Sequence, residues 1–297
     1  MKYKTIALFC AMAMLFATAI STQAQNLASH WPGRTAKPVD QAAKMKQVPM
    51  PLKSEADTCA YTFTNTGTNN SYMKFCVTVN GNIVSFQSPS GIEYINLGTI
   101  GEGYAICDLS NDNAYYDYSD DGASSNWNAA TKVSSSATAV KISRTTSDGA
   151  FTLVQTITKG AGTTPFAKVT MALTNNSGIE KDVLLTRWAD VDPFNANSTD
   201  DYDESFDSTF NAAWGYTAGN YSGSNQPGFG LMIENIGSPN VPYEYQAFDV
   251  QNSPDPCDPA ATYMAYQPSV DGSVEIVYLL DLKAKKVGTV NARYLAF

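Results

Sequence analysis

The sequence predicts an all-β protein, a large antiparallel β-sandwich with long irregular loops over residues 58–297. Apolar and polar residues alternate with a period of two along several segments, and turn signals rich in Asn, Gly and Ser separate those segments. No long amphipathic helix interrupts the pattern. Strands without helices to cover them bury their apolar faces by stacking sheet on sheet.

Taken in order, Tyr72–Val79 puts Met73, Phe75, Val77 and Val79 on one face and Tyr72, Lys74, Cys76 and Thr78 on the other. Asn80-Gly81 then favours a tight turn into Asn82–Gln87. Thr138–Arg144 and Phe151–Thr158 flank a second turn at Ser147-Asp148-Gly149. Phe166–Thr174 alternates, turns at Asn175-Asn176-Ser177-Gly178 and returns as Ile179–Trp188, which reads as a third hairpin. Ser273–Leu282 and Val287–Phe297 read as a last one, across Lys283–Lys286. Residues 108–131, 190–227 and 235–262 read as irregular. Loops of such length in a compact domain are usually functional or tied down by ions and disulfides.

The N-terminus carries Lys2 and Lys4, an uncharged apolar run from Ile6 to Ile20, and small residues at Thr22 and Ala24. This is the order of a signal peptide over residues 1–24, so the protein is expected to be exported to a periplasmic, extracellular or cell-surface location. No later apolar stretch approaches the roughly 20 residues that a membrane span needs. Residues 25–57, with several prolines and five Lys or Arg, read as a flexible leader.

The net charge is −9, and it is unevenly placed. From Trp188 to Leu282 there are fifteen Asp and Glu and no Lys or Arg. Such a surface repels polyanions, which excludes nucleic acid as a partner. Beyond the signal peptide lie Cys59, Cys76, Cys107 and Cys257, an even number that suits two disulfides in an oxidising compartment. All three pairings are open. Cys59–Cys76 with Cys107–Cys257 is the expected one, the first tying neighbouring strands and the second two irregular loops.

The chemistry is narrowed by what the chain lacks. The only histidine is His30, in the leader, so Ser-His-Asp, Cys-His and His-ligated metal sites are excluded from the domain. No glycine-rich phosphate loop occurs. Hard oxygen ligands remain. Asp117, Ser119 and Asp121 alternate before Gly122, as at the start of a calcium loop, although no bidentate Glu follows at the position such a loop requires. A second acidic loop begins at Asp190 and Asp192, which alternation puts on one side of the backbone, with Asn195 close by. Calcium is the cofactor these residues suit, since they offer oxygen and no imidazole or free thiol.

Trp127, Trp188, Trp214 and Tyr216 lie near these acids in sequence. Flat aromatics beside carboxylates and amides suit a glycan or another cell-surface partner. The plainer reading makes Trp188 the end of a core strand and Trp214 a plug in the sandwich. The function expected is therefore a secreted or surface-associated binding module with calcium-stabilised loops. A carbohydrate-active enzyme using carboxylates, with a Tyr or Arg187, is the alternative. A structural envelope or matrix protein is the third reading.

Overall fold

The computed structural model describes residues 59–95, 101–118, 124–193, 204–217, 229–237, 244–251, 254–268 and 270–297. The signal peptide and the leader expected from the sequence lie outside the described residues, as do Ser119, Asp121 and Asn195.

The described residues form three antiparallel sheets and no α-helix. The smallest is a meander of β1 (Tyr61–Thr64), β2 (Lys74–Val77) and β3 (Ile83–Gln87). A six-stranded sheet contains, in spatial order, β15 (Glu244–Val250), β17 (Ser273–Leu282), β11 (Lys181–Asp190), β4 (Glu102–Asp108), β5 (Asn113–Asp117) and β6 (Ser124–Ser125). A nine-stranded sheet runs β16 (Gln267–Pro268), β12 (Glu204–Ser208), β13 (Ala212–Thr217), β14 (Gly230–Asn235), β18 (Val287–Ala296), β10 (Phe166–Asn175), β9 (Phe151–Lys159), β8 (Ala139–Thr145) and β7 (Thr131–Ser135). The fold is the expected all-β sandwich.

One core joins the sheets. Leu153, Val169, Met171, Leu173 and Val290 of the nine-stranded sheet meet Val183, Leu185, Ile276 and Leu280 of the six-stranded one. Phe63, Phe75 and Phe86 of the meander stack at ring separations of 5.0 and 5.9 Å and join the same core. Each fully buried side chain of this size contributes about 1.5–3 kcal/mol.

Two of the expected hairpins are not hairpins. β10 and β11 follow one another in sequence but lie in different sheets, and so do β17 and β18. Each connection is a corner that carries the chain from one layer to the other. Asn175, fully buried, holds both corners. Its Nδ2 donates to the carbonyls of Ile179 and Leu282, each at 2.8 Å, and its Oδ1 accepts from the Ser177 N–H at 2.9 Å. The other two hairpins form as expected, β2 with β3 and β8 with β9.

The regions read as irregular also contain strands, among them β5, β12, β13 and β15. The disulfides join Cys59 to Cys76 and Cys107 to Cys257. Cys107 lies on β4, however, and not on a loop. Two disulfides fit an oxidising, exported environment. No described helix is long and apolar enough to cross a membrane.

Candidate functional site

A band of charge runs through the interior between the two large sheets. Arg187 on β11 is fully buried and pairs with Glu102 on β4 at 2.5 Å. It also donates to Gln155 Oε1 on β9 at 2.5 Å, to Tyr294 Oη on β18 at 3.1 Å and to the Gly81 carbonyl at 3.1 Å. Beside it Asp117 on β5 pairs with Arg144 on β8, whose guanidinium also donates to Tyr104 Oη at 3.0 Å. Burial raises the Glu102 carboxyl against the pull of Arg187. Burial opposes the Arg187 charge too, but Glu102 and Tyr294 beside it hold the guanidinium above its ordinary range.

The tip of the β2–β3 hairpin closes this band. Asn80 Nδ2 donates to Asp117 at 3.1 Å, the Ile83 N–H donates to Glu102 at 2.6 Å, and Asn82 Nδ2 donates to the Glu102 and Asp117 carbonyls. Gly81 makes the approach possible. Its φ is +94°, and a Cβ there would stand 2.7 Å from the Gln155 amide nitrogen. The band is sealed, so these carboxylates serve the fold and have no open face toward a substrate. Arg187, which the enzyme reading named, belongs to it.

The outward face of the nine-stranded sheet is more open. Trp214 and Tyr216 are half-buried neighbours on β13, two residues apart and so on one face. Trp214 stands opposite Asp207 on β12 and Met232 on β14, and Tyr216 opposite Ser205. Farther along the face, Arg293 pairs with Glu234 at 2.5 Å and lies over the Phe166 ring at 5.5 Å. Half-buried aromatic rings and the carboxylates of Asp207 and Glu234 thus share one outward face, with Ser205 buried among them. Trp214 does not plug the sandwich as expected, because Ala213 is the residue of β13 that enters the core.

The other two tryptophans are elsewhere. Trp127 packs edge-on against Tyr104 at 5.5 Å, with Arg144 over its ring at 5.4 Å. Trp188 is buried on the outer face of the six-stranded sheet, against Tyr118 at 5.5 Å. The four aromatics therefore do not form one surface.

Among the acids, Asp117 faces inward, and its counter-charge is Arg144. Asp190 and Asp192 converge. One carboxylate oxygen from each and one from Asp271 all lie within 4.8 Å of one another. Ser273 Oγ donates to Asp190 at 3.1 Å, and the Asp192 N–H donates to the Tyr94 carbonyl at 3.0 Å. Three carboxylates this close repel one another, and a hard cation coordinated at about 2.3–2.6 Å relieves that repulsion. Asp271 was not legible in the sequence. It meets the pair only because β17 lies beside β11, with Ser273 opposite Asp190.

No family model and no curated protein match the chain. Solved structures do resemble it. A bacterial glucoamylase complexed with acarbose aligns with a TM-score of 0.52 at 12% identity, over 84% of this chain and 34% of that one. A putative aldose 1-epimerase from Escherichia coli K12 aligns at 0.42 and 11% identity, over 80% of this chain and 99% of that one. Heparan sulfate lyase HepC from Pedobacter heparinus aligns at 0.41 and 11% identity, over 99% and 41%. The chain thus spans about a third of the glucoamylase's length. At this identity the likeness to the glucoamylase shows a shared fold and nothing of function. The class defined here is a large antiparallel sandwich with an internal ionic band.

Proposed function

We propose that the chain is an exported saccharide-binding domain, and that its binding surface is the outward face of the nine-stranded sheet around Trp214 and Tyr216. The observation that carries this is the half-open pairing of two aromatic rings with Asp207 and Ser205 on adjacent strands. Sugar rings stack on such aromatics through their C–H faces, while carboxylates and hydroxyls bond their hydroxyl groups. The solved structure of similar fold, a bacterial glucoamylase complexed with acarbose, agrees with the reading.

In the same reading Asp190, Asp192 and Asp271 hold calcium. The ion would fasten the end of β11 to the chain entering β17. It acts as a clasp and takes no part in sugar contact.

Affinity electrophoresis against soluble plant, bacterial and host polysaccharides tests the surface. Retardation by at least one polysaccharide, abolished by Trp214→Ala in a protein of unchanged circular dichroism, is the expected result. Retardation of the variant equal to that of the native chain would refute it. For the clasp, a chelator should lower the melting temperature of native protein and leave an Asp190→Asn/Asp192→Asn variant unmoved.

A further inference from the structure

The outer face of the six-stranded sheet is covered. Val250 and Tyr263 form a bridge, and the Gln251 N–H donates to the Thr262 carbonyl at 3.1 Å, so the described residues 254–262 come back to the sheet beside the point where β15 ends. Such a segment is an Ω-loop. It is pinned across the sheet by the Cys107–Cys257 disulfide and by the Tyr118 hydroxyl, which donates to the Pro254 carbonyl at 2.9 Å.

Polar groups on the sheet beneath it have no hydrogen-bond partner among the described residues. They are Thr186 Oγ1, Trp188 Nε1, Gln246 Oε1 and both carboxylate oxygens of Glu275. The exposures of these side chains are 0%, 1%, 7% and 0%. Strand pairing places them together. Trp188 and Phe248 flank Glu275 on either side, and Thr186 and Gln246 flank Val277 in the next row of the same face. Buried polar atoms are almost always paired, so several orphans on one patch require an explanation.

We infer that Thr186, Trp188, Gln246 and Glu275 form a second binding site, gated by the Ω-loop, for a small uncharged polyhydroxylated ligand of the monosaccharide or disaccharide class. The chemistry of the set selects that class. No Lys or Arg on these strands faces the patch, so an anion has no counter-charge. The indole N–H is a donor and repels a cation. Gln246 Oε1 needs a donor, and Thr186 accepts either role. Hydroxyl groups both donate and accept, and so satisfy every member at once. Burial drives the Glu275 carboxyl well above its ordinary range and so favours its neutral form, which both donates and accepts. Trp188 and Phe248 supply apolar walls on either side of it. The closed loop leaves these groups unpaired, and a ligand that pairs them favours the open-then-occupied state by that difference.

This site is separate from the surface around Trp214, and the test keeps them apart. Glucose, galactose, N-acetylglucosamine and maltose are titrated into the native protein, Trp214→Ala, Thr186→Val and Tyr118→Phe by isothermal calorimetry. Tyr118→Phe loosens the loop while keeping the disulfide and the ring. The expected result is saturable binding of at least one probe to native protein that survives Trp214→Ala, weakens about tenfold in Thr186→Val, as a lost buried hydrogen bond should, and strengthens or speeds in Tyr118→Phe. Thr186→Val should at the same time raise the melting temperature of the unliganded protein, because it removes an orphan. Binding of no probe to either the native or the Tyr118→Phe protein, or binding indifferent to Thr186→Val, would overturn the inference. Loss of binding in Trp214→Ala alone would credit the other surface and overturn this one.

Discussion

Replacing Arg187 by Met tests whether the internal ionic band holds the sandwich together. The side chain is fully buried and reaches four partners: Glu102, Gln155, Tyr294 and the Gly81 carbonyl. Met fills most of the volume but supplies no charge and no donor. Glu102 would then stand in the interior without its counter-charge, which costs about 3–5 kcal/mol when one member of a buried pair is removed. In a domain of this size that corresponds to about 2–4 °C of melting temperature per kcal/mol. The deficit has a definite pH dependence. Glu102 is already raised above its ordinary value of 4.5 by burial, and losing Arg187 raises it further. A group raised in the folded state adds stability that is complete below its unfolded pKa and disappears as pH climbs through its folded pKa. The variant should therefore be least impaired near pH 4.5 and lose ground toward pH 8. A second change, Glu102→Gln, should recover more than half of the loss and flatten the pH profile. Urea unfolding followed by near-ultraviolet circular dichroism at several pH values reads all of this. A deficit below about 1 kcal/mol would sink the argument, because it lies far under the cost of an uncompensated buried charge. So would a double variant no better than the single one.

Glu275→Gln should raise the melting temperature of the unliganded protein at pH 7–8 and change it little near pH 4.5. The native carboxyl is raised by burial, so the stability it contributes is lost as pH rises; equal melting curves across that range would contradict this. The disulfides should differ in worth. With sequence separations of 150 and 17, the chain-entropy model gives about 5 kcal/mol for Cys107–Cys257 and about 3 kcal/mol for Cys59–Cys76; paired Cys→Ser variants compared by denaturant unfolding measure the gap. Asn175→Ala leaves the Ile179 and Leu282 carbonyls without their donor, and should cost about 1–3 kcal/mol by the same assay.

The strands that announce themselves most plainly in the sequence are those with one buried face, although Ile179–Trp188 and Ser273–Leu282, buried on both, are legible too. β9 and β10 alternate between buried and half-buried residues along their length, and the period of two announces them. β4 is buried at every position, and β11 at seven successive ones, because the core covers one side and the Ω-loop with its neighbours covers much of the other. Alternation fades in such strands, which is why no strand was expected at Glu102–Asp108. Sheet membership was hidden for another reason. A turn between two strands reads the same whether the chain folds back beside itself or crosses to the facing layer. Asn175 helps to separate the two, through its bond to the Leu282 carbonyl far along the chain. The candidate sites divide similarly. Asp190 and Asp192 share a side by local alternation, whereas Trp214 and Tyr216 fall in a region that reads as irregular and share a face because β13 forms there. Asp271, Gln246 and Glu275 join their sites through strand pairing, which no local pattern encodes.

The buried charges also bear on how so long a β chain settles on one arrangement. Leu, Ile and Val in the core accept many neighbours, and apolar packing alone discriminates weakly between registers of β11 against β4. Val183, Leu184 and Leu185 are buried on both faces, so a one-residue slip would exchange one apolar residue for another there at modest cost. At Arg187 the same slip turns the guanidinium to the outer face, beneath the Ω-loop, and Trp188 inward. Glu102 is then left buried without a cation, and the hairpin tip at Gly81 loses its donor. The penalty falls on the misaligned state far more than the pair adds to the native one, since a satisfied buried ion pair contributes little net stability. Arg144 and Asp117 apply the same test between β8 and β5, which belong to different sheets. Two ion pairs thus fix the registers along and across the layers. They leave the outward face around Trp214 and the covered patch at Glu275 in defined positions on opposite sides of the sandwich.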